Sequence, residues 1–155
     1  MRMNSFDDNL SLFVRRMEPR DASEVALLIR QLGYDRALDE VLLWIEKMHA
    51  DGESQTAFVA SLEGEVVGWI EVSIQQRLQS RPFALIGGLV VKDGMRGRGI
   101  GQRLCEMADS WCWERQVKTI RVTSRSTRAD AHRFYLRSGY RQIKTSLVFE
   151  KERIV

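Results

Sequence analysis

The chain switches between two hydrophobic periods, and the change-overs mark its elements. Leu12 to Arg16 reads as a short strand closed by Glu18-Pro19. Val25, Leu28, Ile29 and Leu32 then recur at helical spacing, with Asp21 and Glu24 placed as a reciprocal capping box and Gly33 as the stop. After the polar connection Gly33-Tyr34-Asp35-Arg36 a second helix begins near Asp39, its stripe made by Val41, Leu42, Ile45 and Met48. The period then falls to two. Thr56–Leu62 and Glu65–Gln75 are predicted as an antiparallel hairpin turning at Glu63-Gly64. On its second strand Val66, Gly68, Ile70, Val72 and Ile74 share one face, and Val67, Trp69, Glu71 and Ser73 the other. Gln76 to Pro82 reads as a polar loop.

Phe83 to Val91 is apolar on both faces, which is the pattern of a central strand covered on both sides. Gly87-Gly88 interrupts that run. Paired glycines weaken a strand, so they predict a bulge or a close approach by another group. Beyond a glycine-rich turn, Ile100, Leu104, Met107, Ala108 and Trp111 mark a helix to about Gln116, in which Trp111 and Trp113 read as packing residues. Lys118–Thr123 is predicted as a strand. Thr127 and Asp130 then form a capping box for a helix through Ala131, Phe134 and Tyr135, stopped by Gly139. Ile143, Thr145, Leu147 and Phe149 alternate with Lys144, Ser146, Val148 and Glu150 in a last strand. The order β-α-α-β-β-β-α-β-α-β predicts an α/β (α+β) fold with a single mixed sheet flanked by helices. Residues 12–155 are expected to form one domain behind a flexible tail, residues 1–11.

Composition narrows the class without naming a function. The chain has 155 residues, 44% hydrophobic and 29% charged, with a net charge of +3, which are ordinary values for a globular protein. No stretch reaches transmembrane length, and the start, carrying Asp7 and Asp8, lacks the apolar core of a signal peptide. Cys105 and Cys112 lie seven apart on one predicted helix, about 10 Å by helical rise and beyond disulfide reach. Two thiols and two histidines without clustered spacing give no metal site. A reducing cytoplasm is therefore expected. Nucleic-acid binding ranks last, because aromatic residues are not interleaved with the basic ones.

The candidate chemistry sits where the apolar run meets the next helix. Lys92-Asp93-Gly94-Met95 leads into Arg96-Gly97-Arg98-Gly99-Ile100-Gly101, which opens directly into that helix. The first N–H groups of a helix lack internal partners and lie at the positive end of its dipole, so they favour anions. The glycines remove the Cβ atoms that would keep a phosphate away, and Arg96 and Arg98 add charge in a fork that suits phosphate oxygens. The Gly-x-Gly-x-Gly spacing fits neither a dinucleotide fingerprint nor a Walker loop.

Arg96, Gly99 and Gly101, followed by Ala131, Phe134, Tyr135, Gly139 and Tyr140, resemble the two ordered motifs of the GNAT superfamily of acyl-CoA-dependent N-acetyltransferases. The element order resembles the family's from about Leu12 to Glu150. The resemblance implies a largely antiparallel, splayed sheet, opened by a bulge at or just after Gly87-Gly88. It implies that acetyl-CoA is the acyl donor, with backbone groups of Leu89, Val90 and Val91 on its pantetheine arm. The turn Arg96, Gly97, Arg98, Gly99, Ile100 and Gly101 would hold its pyrophosphate, and Tyr135 would serve as general acid to the departing thiolate. Arg128 replaces a frequent family asparagine and is a candidate contact to a CoA phosphate. Family members are often dimers, so a homodimer is one expectation.

The reaction so implied carries acetyl to a primary amine, of a small molecule or a peptide, by direct attack in a ternary complex. An alkyl ammonium of pKa ~10.4 is only about one part in two thousand free amine at pH 7, equivalent to roughly 4.6 kcal/mol. A base or a lowered amine pKa is needed. Many relatives carry a glutamate on the central strand, where Leu85, Ile86, Gly87 and Gly88 offer none. Glu71 on the neighbouring strand is the substitute candidate, with a plain solvent-facing residue as the other reading. Tyr135 likewise has a second reading, as core. The absent carboxylate motivates an alternative function, a non-catalytic acyl-CoA-binding regulatory module. Asp35, Asp39 and Glu40 either attract a cationic amine or simply favour helix starts.

Overall fold

The chain up to Thr123 builds one sheet and covers both of its faces. A computed structural model describes residues 11–154 and divides them into two units, the first ending at Thr123 and the second beginning at Ser124. In chain order the first unit contains β1 (Leu12–Arg16), α1 (Ala22–Gln31), α2 (Leu38–Ala50), β2 (Gln55–Leu62), β3 (Glu65–Arg77), β4 (Ser80–Val91), α3 (Ile100–Glu114) and β5 (Ile120–Val122). The second contains α4 (Ala129–Arg137). The five strands lie side by side in chain order; β1 to β4 are antiparallel and β5 joins β4 in parallel. The sheet is mixed and open, as expected. Among the described residues no helix is long and apolar enough to cross a membrane, and no His, Cys, Asp and Glu cluster could hold a metal.

Period-two alternation sends neighbouring residues of β3 to opposite faces. Trp69 joins Val25 and Leu28 of α1, Val41, Ile45 and Met48 of α2, and Val59 and Val90 in one buried cluster. Gly68 faces the other way, toward α3. A Cβ there would lie 2.9 Å from Val90 O, 3.2 Å from Leu104 Cδ1 and 3.3 Å from Ile100 Cγ2. The missing side chain lets α3 sit close on the sheet, where Ile100, Leu104, Cys105, Ala108, Trp111 and Cys112 are buried. Arg16 closes the far end of α2 by donating through Nη2 to the carbonyls of Met48 and His49, at 3.0 and 2.9 Å. A cation at a helix C-terminus also complements the dipole.

Several local expectations give way to longer-range partners. Asp21 does not cap α1 with its side chain. Its carboxylate accepts two 2.8 Å bonds from the Arg15 guanidinium and one from Glu18 N–H, and a bidentate cation outcompetes a neutral backbone donor. Glu24 accepts from Val66 N–H at 2.8 Å instead, which ties α1 to the start of β3. Gln76 to Pro82 is not a loop, since β3 continues to Arg77 and β4 starts at Ser80. The guanidiniums of Arg77 and Arg121 stack on the Phe83 ring at 4.9 and 4.3 Å, giving these polar strand ends an apolar support. Of the two tryptophans on α3, Trp111 is buried under the Arg115 guanidinium, 4.2 Å from its ring, and Trp113 is exposed.

Two expectations for the second unit are also corrected. Thr127 and Asp130 do not form the capping box; α4 starts at Ala129 with Arg128 at the N-cap and no side-chain cap bond. His132 Nε2 lies 2.8 Å from Arg125 O and closes this turn another way. The alternating stretch Ile143 to Glu150 belongs to no strand. Alternation makes a segment suited to a sheet face, but a strand also requires a ladder partner.

The Arg15–Asp21 pair generates a stability prediction. Burial alone would raise the Asp21 carboxyl, but the Arg15 hydrogen bonds and the Glu18 N–H outweigh it and hold the group below its usual range. A folded pKa below the unfolded value of about 3.9 gives stability that is present above that pH and is lost as pH falls through the folded value. Breaking a fully buried pair costs about 3–5 kcal/mol. With 25% of the Arg15 side chain exposed against 4% for Asp21, the lower end is expected. Urea denaturation of Asp21→Asn should show that loss at pH 7 and a shrinking difference from the unaltered chain below about pH 4.

Candidate active site

β4 keeps its β3 partner almost to its end but meets β5 only through Ala84, Leu85 and Ile86. From Gly87 onward β4 has no β5 partner. Leu89, Val90 and Val91 pair with Ile70, Trp69 and Gly68 of β3, and among the described residues no strand pairs with their other edge. Gln31, the last residue of α1, grips the end of that edge. Its Nε2 donates to Val91 O at 2.7 Å and its Oε1 accepts from Asp93 N–H at 2.8 Å. Sequence reasoning missed Gln31, because a polar residue ending an amphipathic helix carries no periodic signal.

The glycine turn follows directly. Gly97 and Gly99 have φ of 80° and 78°, and Gly99 is the N-cap of α3. A Cβ at either would meet nothing within 4 Å, so handedness rather than space requires glycine there. Arg103 N–H is the first to close onto the turn, reaching Gly99 O at 3.1 Å. The N–H groups of Ile100 and Gly101 come before it, at the positive end of a 15-residue helix with no acid in its first turn. Arg96 and Arg98 are exposed, and Arg96 Nη2 stands 3.6 Å from Asp93. The residues expected to take a pyrophosphate thus lie together on an open, basic helix end, which fits that group.

The paired glycines answer a different need. Glu71 is opposite Gly88 and Val72 opposite Ile86, so Gly87 is the extra residue of a bulge. Neither glycine has positive φ. A Cβ on Gly87 would stand 2.7 Å from Glu71 Oε1, and one on Gly88 would stand 2.6 Å from Trp69 Cη2. Both positions are empty so that these side chains can lie across β4. Glu71 Oε2 accepts a 2.8 Å bond from Trp44 Nε1 of α2.

Glu71, Trp44 and Trp69 line a cavity of about 240 Å³ together with Met17, Ile29, Met48 and Arg36. Glu71 therefore faces this cavity rather than open solvent. Trp69 Nε1 is buried and has no hydrogen-bond partner among the described residues. A buried donor left in that state costs about 1–3 kcal/mol. Trp44 also escaped sequence reasoning, although its place off the α2 stripe of Val41, Ile45 and Met48 was a usable signal. Cys105 and Cys112 are free and buried. Burial first, and the Asp109 charge second, push both thiols up to about 12, so neither is a nucleophile near neutral pH.

Tyr135 and Arg128 belong to the second unit. The Tyr135 ring makes edge-to-face contacts with Phe134 at 5.4 Å and Tyr140 at 5.6 Å. The backbone turns back at Gly139, φ 93°, so that Tyr140 N–H donates to Tyr135 O at 3.0 Å. Tyr135 is half-buried, not core, and Arg128 is exposed.

Comparison with known proteins agrees with this architecture. The sequence model of the acetyltransferase (GNAT) family matches residues 22–140. An aminoalkylphosphonate N-acetyltransferase of Salmonella typhimurium is 38% identical over 85 residues, 54% of this chain and 55% of that protein. The chain thus matches about half the length of that relative. An aminoglycoside N(6')-acetyltransferase of Stenotrophomonas maltophilia is 24% identical over 140 residues, 88% of this chain and 90% of that one. Among solved structures, AAC(6')-Iy in complex with a CoA-linked acetylneamine bisubstrate analogue superposes with a TM-score of 0.81 at 17% identity, covering 92% of this chain and 99% of that one. AAC(6')-Ih from Acinetobacter baumannii gives 0.80 at 16% identity, with coverage of 92% and 99%. At these identities the structural likeness speaks for the fold.

The glycine pair predicts unequal effects of the same substitution. Overpacking a core costs about 1–3 kcal/mol, while Ala in place of a strand Gly recovers roughly 0.5–1 kcal/mol of chain entropy. At Gly88 the clash is with the ring of a buried indole, which can yield only by shifting as a rigid plane, so Gly88→Ala should be destabilising and should shift tryptophan fluorescence. At Gly87 the clash is with a carboxylate that can swing away, so Gly87→Ala should be near neutral in thermal denaturation while displacing Glu71 from Trp44.

Proposed function

The chain belongs to the GNAT family of acetyltransferases, and from that premise we propose that it transfers an acetyl group from acetyl-CoA to a primary amine by direct attack in a ternary complex. Acetyl-CoA, as the acyl donor, supplies a thioester whose carbonyl carbon the amine attacks, forming the amide and releasing the CoA thiol. The observation that carries the reading is Glu71. Its carboxylate reaches the bulge at Gly87, where β4 loses β5, and it lines the cavity on the same side of the sheet.

In this reading the open edge of Leu89, Val90 and Val91 pairs with the pantetheine amides as an added strand would. The N–H groups and charges from Arg96 to Gly101 hold the pyrophosphate. Glu71 takes a proton from the substrate ammonium, directly or through one water, and the Trp44 bond keeps its carboxylate aimed. Tyr135 donates a proton to the departing thiolate, and Arg128 contacts a CoA phosphate. The two high-pKa thiols favour direct attack over a covalent acyl-enzyme. They also suit a reducing compartment, and we place the protein in the cytoplasm.

The cavity supports a small acceptor or the amine-bearing end of a larger one, since about 240 Å³ is below the roughly 300–1,000 Å³ of sites that enclose a whole small molecule. Its carboxylate suits an ammonium and its indole faces suit a cation. Aminoalkylphosphonates and aminoglycosides, the substrates named for the two relatives, carry such amines. A small-molecule amine is therefore the preferred substrate class, ahead of a peptide amine.

Three variants separate donor binding from chemistry. Arg96→Ala combined with Gly99→Ala should weaken acetyl-CoA binding in calorimetry; unchanged affinity would remove the turn from the donor site. Glu71→Gln should lower kcat by about 10²–10⁴-fold across a panel of amines while acetyl-CoA affinity holds. Tyr135→Phe should do the same, and undiminished turnover would exclude Tyr135 as the acid. Tight acetyl-CoA binding with no turnover of any amine by the unaltered protein would favour the regulatory-module reading.

A further inference from the structure

We propose that the acceptor amine carries an oxyanion at its far end, and that Arg77 and Arg121 receive this group at a subsite along the sheet from Glu71. Glu71 enters as the group that meets the amine, which rests on the acetyl-transfer reading; the subsite itself follows from strand register within the first unit. Every second residue of a strand returns to one face, and residues opposite each other in a sheet share it. Ser73 and Gln75 therefore share the face of Glu71, and Gln75 Nε2 donates to Ser73 Oγ along it at 2.8 Å. Leu85 and Phe83 of β4 lie opposite Ser73 and Gln75, and Arg121 of β5 lies opposite Leu85. A strip of half-buried residues, Ser73, Gln75 and Leu85, thus leads from the cavity to the Phe83 ring.

That ring is buried beneath two cations. The Arg77 and Arg121 guanidiniums stand 4.9 and 4.3 Å from its centre, which brings them within about 9 Å of each other. Among the described residues neither has an acidic partner or a hydrogen bond from its guanidinium. Arg15, Arg16 and Arg115, by contrast, spend theirs on protein oxygens. Two like charges held this close repel, and an anion between them relieves the repulsion. Guanidinium forks match the oxygens of a phosphate, phosphonate or carboxylate.

The spacing selects the length of the ligand. Gln75 and Phe83 lie four residues along from Glu71, about 13 Å at roughly 3.3 Å per residue. The amine and the oxyanion are therefore separated by several carbon atoms. Arg36 also lines the cavity, but it is paired with Glu40 at 3.4 Å, so an oxyanion directly beside the amine meets no unpaired cation there.

Calorimetry on the full chain without acetyl-CoA reads this directly. ω-Aminoalkyl phosphates of two to ten carbons are titrated beside the ω-amino alcohols of the same length. At six carbons or more the phosphate should bind about 10-fold more tightly than its alcohol, and at two carbons the two should be alike. Arg77→Gln with Arg121→Gln should bring the long pair to within about 2-fold of each other, and Arg77→Lys with Arg121→Lys should keep part of the preference. Equal affinity for phosphate and alcohol at every length, a preference greatest at two carbons, or a preference that survives both glutamines would each overturn the proposal. The length series uses the unaltered chain, so it decides the matter even if a variant fails to fold. Because no acetyl group moves in these titrations, a lack of turnover would count against the acetyl-transfer reading and leave the subsite to be judged by its own affinities.

Discussion

A strand in the middle of a sheet has polar groups on both edges, and all of them must find partners. β4 satisfies this on the β3 side along nearly its whole length, but on the β5 side for only three residues. Much of the rest follows from that shortfall. The exposed edge past Ile86 is open to an extended ligand. Where it ends, Gln31 supplies both a donor and an acceptor, and so keeps the turn at Asp93 in register with α1. The bulge at Gly87 lies one residue beyond the last β5 contact, so the β3 register shifts where β4 loses its other partner.

The glycines of this region serve two unlike purposes, and that distinction explains how the turn and the cavity are joined. Those of the turn provide a backbone handedness in open surroundings. Those of the strand provide volume, into which β3 sends one carboxylate and one indole. The cavity is therefore walled by residues that reach over the very strand whose outer edge β5 leaves uncovered. Nothing but glycine at these two places would let one strand serve both sides.

The sequence made the first unit legible because its helices and strands each bury a continuous apolar stripe, and a stripe is a local property. Val41, Ile45 and Met48 announce α2 without reference to anything else. The glycine turn and the Gly87-Gly88 irregularity were legible for the same reason. Partnerships between distant residues were not. Asp21 looks like a helix cap until Arg15 is beside it, and Glu71 looks like a surface residue until Trp44 is. The Gln76 to Pro82 stretch reads as a loop by polarity, yet cation stacking on Phe83 keeps it in strand. The alternation from Ile143 to Phe149 describes what the segment can bury and is silent about where.

The two cysteines on α3 have a consequence outside catalysis. Both thiols lie under the sheet, and their raised pKa values keep them protonated and unreactive while α3 stays docked. An alkylating reagent can reach them only when that helix lifts away. Alkylation rate is then a clock for the opening of the layer beneath the glycine turn, read out by mass on the unaltered chain. Because α3 also carries the helix end that would face the acyl donor, slower labelling in the presence of a bound ligand would measure how firmly that ligand clamps the helix to the sheet.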